Sequence, residues 1–155
     1  MDLATRQQLI VQYKDGYRVV AEALAGATDD ELDRRPAPGK WSARDIVHHL
    51  ADSEMTAAVR FRLLVATDNP QIHGYDQDAF ARQLFYDRPI EASLAAFKAA
   101  RGTTGELLDR MTEADWAREG THTEHGRFTV ERLLELTAVH AHTHAGQIRI
   151  ARGQV

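Results

Sequence analysis

Three histidines alternate with other residues near the C-terminal end of the chain, at His140, His142 and His144. On a helix, residues four apart share one face, with side-chain roots about 5–6 Å from each other. His140 and His144 could therefore bind one ion together, whereas His142 must point elsewhere. Imidazole is a common ligand of zinc, nickel and iron. The pair indicates part of a metal site, although two buried and hydrogen-bonded core histidines would give the same pattern.

A third nitrogen ligand is available on an earlier segment of the chain. Ser42 and Asp45 form an S-x-x-D pattern that resembles a helix capping box, so a helix should begin at Ser42. His49 lies beside Leu50 and borders the buried stripe of this helix, whereas His48 is rotated by about 100°. One inward-facing histidine opposite a histidine pair gives three nitrogens and leaves a fourth position open, as in catalytic zinc sites.

The elements that would position these residues are four helices. Helical periodicity extends over residues 3–25, 42–68, 90–111 and 129–152, and no segment sustains the alternation of a strand. We expect a long loop at residues 71–89, with one short helical turn around residues 76–84, and a polar connector at residues 112–126. The chain is thus predicted to be one all-α domain of residues 1–155, a four-helix bundle. Metal sites in bundles are commonly built from facing helices.

Composition excludes several classes of function. The 155 residues are 43% hydrophobic and 27% charged, the balance of an ordinary globular domain. The chain has no cysteine, which excludes disulfides, thiolate metal sites and a cysteine nucleophile. Its net charge is −4, whereas a nucleic-acid-binding protein is expected to have a basic surface. We find neither a membrane span nor a signal peptide, and we expect a cytoplasmic protein.

The same residues resemble a known family. The run from Pro38 to Glu54, with its Trp-Ser pair, and the H-x-x-x-H pair before Gln147 are similar to the DinB/YfiT-like superfamily. In the family motif the ligand of the second helix stands eight residues after the tryptophan, which is His49 here. His140 and His144 match the other two ligands. Residues 60–64, 69–70 and 75–76 resemble the YfiT branch. Many relatives carry a further histidine directly before the last ligand, where this chain has Thr143.

The resemblance implies a four-helix bundle, often dimeric, with a histidine-triad metal site between its helices. It implies a metal-dependent hydrolase in which a divalent cation, zinc or nickel before manganese or iron, activates water against a small-molecule substrate. A second interpretation is a metal-dependent S-transferase or isomerase that uses a low-molecular-weight thiol of the bacillithiol or mycothiol type. A third is a non-enzymatic metal- or ligand-binding protein of the stress response. We expect a homodimer.

Other polar residues have weaker assignments. Asp52 follows His49 by three residues and is our candidate catalytic residue, either orienting the imidazole or accepting a proton from water. The alternative interpretation of Asp52 is a solvated carboxylate without a role in catalysis. The alternative interpretation of Asp45 is helix capping. Gln147 could contact a ligand or hydrogen-bond across the bundle. The remaining assignments are packing for Trp41 and Trp116 and exposed loop positions for His73, His122 and His125. Arg60 and Arg62 form a charged face that is either solvated or attracts an anionic substrate.

Overall fold

The structure is a computed structural model that describes residues 1–154, and long helices dominate it. The helices are α1 (Leu3–Leu24), α2 (Asp29–Asp33), α3 (Ala43–Ala66), α4 (Gln77–Gln83), α5 (Glu91–Leu108), α6 (Glu113–Trp116) and α7 (Val130–Arg152). The strands are β1 (Gln71–Ile72), β2 (Glu119–His122) and β3 (Gly126–Thr129). Among these elements, α1, α3, α5 and α7 form the bundle, which confirms the four helices predicted from periodicity.

Local capping explains where the two helices that carry the histidines begin and end. Ser42 and Asp45 form a reciprocal capping box at the start of α3, as predicted from their spacing. Thr129 caps α7 by accepting a hydrogen bond from the Arg132 backbone. Gly153 ends α7 in the left-handed conformation, with φ of 77°. The ends of both helices are therefore set by residues outside the metal site.

The four long helices pack in a square. Helix α1 contacts α7 and α5, and α3 contacts α5 and α7, so every helix has two neighbours. The bundle core consists of two hydrophobic clusters along its length. One contains Val20, Ile46, Leu50, Phe97 and Ile148, among others. The second contains Tyr13, Phe61, Leu64, Leu108 and Leu133, among others.

A small sheet corrects the expectation that the chain contains no strands. Strand β2 pairs in parallel with β1 and antiparallel with β3. The strands have two to four residues each, too short for alternation of polar and apolar residues to be recognised in the sequence. Gly120 permits the close pairing, because a Cβ there would lie 2.5 Å from the Pro70 carbonyl oxygen. The predicted connector at residues 112–126 is thus partly sheet.

The loop at residues 71–89 has more structure than one turn. The expected helical turn is α4, whose N-terminus is capped by the Asp76 carboxylate. Helices α2 and α6 were not expected, and each begins with a capping box, Thr28 with Glu31 and Thr112 with Asp115. Within residues 1–154 no helix combines the length and apolar character that a membrane crossing requires.

Candidate metal centre

The structure brings the three predicted histidines together between α3 and α7. The His140 Nε2 atom lies 3.2 Å from Nε2 of His49 and 3.0 Å from Nε2 of His144. The ring centroids are 4.5–5.1 Å apart. His49 is only 2% exposed, whereas His140 and His144 are partly buried. Three imidazole nitrogens of two helices therefore face one point.

The hydrogen bonding of this cluster fits a cation. A neutral ring nitrogen offers either one proton or one lone pair, so His140 Nε2 cannot form ordinary hydrogen bonds with both neighbours. Three lone pairs directed at one cation would remove this conflict. Tetrahedral coordination at zinc–nitrogen distances of about 2.0–2.1 Å places the nitrogens about 3.3 Å apart. The observed separations of 3.0 and 3.2 Å are close to that value.

The outer nitrogens of two rings are unusual for a metal site. Nδ1 of His49 and Nδ1 of His144 are buried and have no hydrogen-bond partner among the described residues. Metal-bound histidines usually donate this second N–H to a carboxylate, a carbonyl or water. Among the described contacts, the Trp41 ring packs against His49, with ring centroids 4.8 Å apart.

Burial keeps the cluster unprotonated. Together with the neighbouring His144, it lowers the pKa of His49 to about 4. The pKa of His140 is lowered to about 3 by burial, by the other two histidines and by Arg101. Burial also lowers the pKa of His144, an effect that Gln147 partly offsets. Neutral imidazole is the form that binds metal, so the site is ready for a cation at neutral pH.

A cleft of about 570 Å³ opens beside the cluster. His144 lines it, together with Trp41, Ile46 and Ile150. Helix α4 contributes Gln77 and Asp78, so the segment that sequence reasoning treated as a long loop forms one wall. Further lining comes from Pro36, Ala37, Gly39, Lys40 and Gln147. A small molecule in this cleft would contact His144 directly.

Trp41 has a larger part in the site than the packing role assigned to it. Its ring centroid lies 4.8 Å from that of His49, and the half-buried indole lines the cleft. The position directly before the Ser42 cap is a sequence signal that could have indicated this, since it places the indole at the same end of α3 as His49. Trp116 does pack, being buried with the Arg6 guanidinium 4.8 Å from its ring centroid.

The two histidines that the sequence placed outside the site have other partners. His48 is fully buried on the opposite side of α3, where its ring nitrogens contact Ser93 Oγ at 2.8 Å and the Arg88 carbonyl oxygen at 3.0 Å. His142 Nε2 lies 3.0 Å from the Gln12 carbonyl oxygen on α1. Both follow the helical rotation that was predicted for them.

The structure gives Asp52 a definite partner. The Tyr86 hydroxyl donates a hydrogen bond of 2.7 Å to Asp52 Oδ2. Asp52 does not orient His49, because His49 Nδ1 is without a partner among residues 1–154. Its role as a proton acceptor stays a prediction. Asp45 caps α3 and also forms an ion pair of 2.7 Å with Arg35. Helix capping, the alternative given for Asp45, is therefore confirmed.

The expectation for the loop histidines is wrong at His122, which is buried. Its ring stacks on His125 at a centroid distance of 4.6 Å, and these two residues and Glu124 form a second group with the geometry to hold a metal. However, His122 Nδ1 accepts a hydrogen bond of 3.1 Å from the Glu124 backbone. The neutral ring then carries its proton on Nε2, which removes that lone pair from metal binding. His73 and His125 are exposed, as predicted.

The arginines expected to form a solvated face are engaged with the protein. Arg60 donates to the His73 carbonyl oxygen and lies 5.8 Å from the Tyr75 ring centroid. Arg62 donates to the Ala58 carbonyl oxygen at 2.9 Å and to Thr103 and Thr104 hydroxyls. Neither guanidinium lines the cleft beside the histidines.

Comparisons with known proteins agree with this geometry. A profile described as the DinB superfamily matches residues 12–148. A protein of Oceanobacillus iheyensis named "Putative metal-dependent hydrolase OB0782" is 30% identical over 139 residues, which are 90% of this chain and 81% of that protein. "Putative metal-dependent hydrolase YfiT" of Bacillus subtilis is 32% identical over 130 residues, 82% of this chain and 72% of its own.

A solved structure extends the likeness to the whole fold. The structure of YfiT from Bacillus subtilis superposes with a TM-score of 0.90 at 28% identity, and the match covers 99% of this chain and 89% of that chain. That protein is described as a probable metal-dependent hydrolase with an unusual four-helix bundle topology.

Proposed function

Because this chain belongs to the DinB superfamily and directs three imidazoles at one point, we propose that it is a metal-dependent hydrolase. The cation would be held by His49, His140 and His144. The convergence of their Nε2 atoms within 3.0–3.2 Å of His140 is the observation that supports this proposal most strongly. The names of the relatives, which describe metal-dependent hydrolases, support the same reaction class.

The donor set defines which cations suit the site. Three neutral imidazoles are nitrogen ligands of intermediate softness, which favour zinc or nickel over magnesium or calcium. We propose zinc or nickel as the native ion, with manganese and iron as the further options. A bound divalent cation supplies two effects: it lowers the pKa of water, and it polarises the oxygen of a carbonyl group. Both effects suit the hydrolysis of an amide or an ester.

The chain itself would bind and orient the substrate. The cleft walls of Trp41, Ile46 and Ile150 are apolar, so they would cover the non-reacting part of a small molecule and exclude water from it. His144 lines this cleft, so the scissile group of a substrate bound there would lie beside the histidine cluster. The Gln77 and Gln147 amides offer hydrogen bonds to a polar substituent of the substrate.

Asp52 is our proposed proton acceptor. It lies on α3 one turn beyond His49 and is half-buried. The hydrogen bond from Tyr86 fixes the orientation of its carboxylate, and the second carboxylate oxygen remains able to accept a proton. A positioned carboxylate of this kind typically contributes about 10²–10⁴-fold to the rate of a hydrolytic reaction.

A substrate panel with defined metal content tests the function. Protein loaded separately with zinc, nickel, manganese or ferrous iron is assayed against small aryl esters and anilides, with and without added low-molecular-weight thiol. We expect thiol-independent hydrolysis that disappears in chelator and in the His140→Ala variant. Turnover only with thiol would replace hydrolysis by thiol transfer or isomerisation. Metal binding at full occupancy without any turnover would favour the non-enzymatic binding protein.

A further inference from the structure

A buried ion pair lies between the two hydrophobic clusters of the bundle. Glu54 on α3 and Arg101 on α5 are only 3% and 2% exposed. The Arg101 Nη1 donates to one Glu54 oxygen, and the Tyr13 hydroxyl donates to the other. Arg101 Nε donates to the Tyr13 carbonyl oxygen at 2.5 Å, and Nη2 donates to the Thr137 carbonyl oxygen at 3.0 Å. One guanidinium thus links all four long helices.

Stability does not explain this arrangement. Removing two charges from water costs several kcal/mol per ion, and apolar residues of similar volume often serve as well or better. The bundle bears a second cost at Gly16, since glycine inside a helix is about 1 kcal/mol less favourable than alanine. A Cβ at Gly16 would lie 2.5 Å from Arg101 Nε, so α1 needs glycine there to admit the guanidinium. The buried ion pair and the helical glycine are both unfavourable for stability and lie at the same level of the bundle. A functional role of Arg101 and Glu54 would account for both.

The ion pair lies next to the histidine cluster. Glu54 follows His49 by five residues on α3, and Thr137 precedes His140 by three residues on α7, which places it one turn away on the same face. The polar layer and the cluster therefore occupy adjacent turns of the same two helices.

We propose that Glu54 and Arg101 are positioning residues of the metal site. Resting on the proposed function above, the inference is that their ion pair fixes the register of α7 against α3. Arg101 holds the turn of α7 that carries Thr137 while it is itself held by Glu54, and His140 consequently faces His49. No described side chain or backbone group hydrogen-bonds to Nδ1 of His49 or His144, and the placement of α3 and α7 is what brings these rings together.

Glu54 has a second effect through its charge. An arginine alone this close to His140 would repel a divalent cation, because a buried charge is screened weakly. The carboxylate of Glu54 offsets part of that field. The pair therefore leaves the site with little net charge from the polar layer while it retains the fixed fork geometry of the guanidinium.

Cobalt binding separates this role from a structural one. The whole protein, stripped of metal, is titrated with Co²⁺ as wild type and as the Arg101→Lys and Glu54→Gln variants, and the Kd and the visible absorption spectrum are recorded. Arg101→Lys keeps the charge but loses the fork. We expect both variants to bind cobalt about 10–100-fold more weakly, the usual loss when support of a metal ligand is removed, with an altered ligand-field spectrum.

Arg6→Met is the matched control. Arg6 is another buried arginine that bonds carboxylates, Glu113 at 2.6 Å and Glu131 at 3.1 Å, but it acts at the first turn of α7, far along the helix from His140. Its loss should lower the melting temperature and leave the cobalt Kd and spectrum unchanged.

If Arg101→Lys or Glu54→Gln fails to fold, the volume-matched double variant Glu54→Met with Arg101→Met replaces it, with the same expected loss of affinity.

Each outcome decides the inference. Wild-type Kd and spectrum in the folded ion-pair variants would overturn the positioning role while leaving the proposed function intact. The same weakening in Arg6→Met would also overturn it, since general destabilisation would then account for the effect. Failure of the wild type to bind cobalt would overturn the proposed function together with the inference. The titration of the wild type distinguishes this outcome from failure of the inference alone.

Discussion

Trp41 and His49 pack against each other near the start of α3, with ring centroids 4.8 Å apart and planes inclined at 55°. The indole therefore covers the ring that α3 contributes to the metal centre. A paramagnetic cation bound to His49 would quench the fluorescence of an indole at this distance.

The first prediction uses this proximity. Addition of Ni²⁺ or Co²⁺ to the metal-free protein should quench the Trp41 component of the emission, because the only other tryptophan, Trp116, lies in the second hydrophobic cluster of the bundle. In Trp41→Phe the quenching should be lost, and in Trp116→Phe it should remain. Equal quenching in Trp41→Phe would show that the cation binds elsewhere.

The second prediction concerns pH. Since burial depresses the pKa of His49 to about 4 and of His140 to about 3, the unfolded chain binds more protons than the folded one below about pH 6.5. The stability that these groups contribute is present above pH 6.5 and is lost as pH falls toward 4. The melting temperature of the metal-free protein should fall over this range. His140→Gln should flatten the decline, and a decline of wild-type steepness in that variant would argue against a depressed pKa.

The third prediction tests Asp52. Asp52→Asn should reduce kcat by about 10²-fold or more without changing metal content, because the amide retains the shape but cannot accept a proton. Tyr86→Phe is the companion variant, since it removes the hydrogen bond to Asp52 Oδ2 and should have a smaller effect. An unchanged kcat in Asp52→Asn would show that this carboxylate does not accept a proton in the reaction.

The fourth prediction compares two isoleucines of α7. Ile148 is fully buried in the first hydrophobic cluster, whereas Ile150 is 50% exposed on the same helix. Ile148→Ala should lower the free energy of unfolding by about 2–5 kcal/mol, and Ile150→Ala by about 0.5 kcal/mol or less. Urea denaturation at neutral pH measures both. Similar losses in the two variants would mean that α7 presents a different face to the core.

Helices with long apolar repeats and good caps could be predicted from the sequence. Ser42 and Thr129 marked where α3 and α7 begin, and the i,i+4 spacing paired His140 with His144. The third histidine was selected over His48 by rotation about the helix axis, and its position beside Leu50 was sufficient for that choice. Caps, apolar periodicity and the spacing of histidines on one helix involve residues close together in the chain, so they can be recognised in the sequence.

Apart from the convergence of the three histidines, contacts between distant segments were not predictable. The three short strands form only because Pro70, Gly120 and the residues around Phe128 meet in the fold. Glu54 and Arg101 are 47 residues apart, and nothing near either one indicates that it is buried. The burial of His122 depends on the same sheet. The homodimer, the cytoplasmic location and the absence of a nucleic-acid partner stay predictions.

Metal content of the histidine variants tests the central claim most directly. Wild type, His49→Ala, His140→Ala, His144→Ala and, as control, His142→Ala are purified without chelator and analysed for zinc, nickel, manganese and iron. The account predicts one divalent ion per chain in wild type and His142→Ala, and none in the other three. Full occupancy in His49→Ala, His140→Ala or His144→Ala would contradict it.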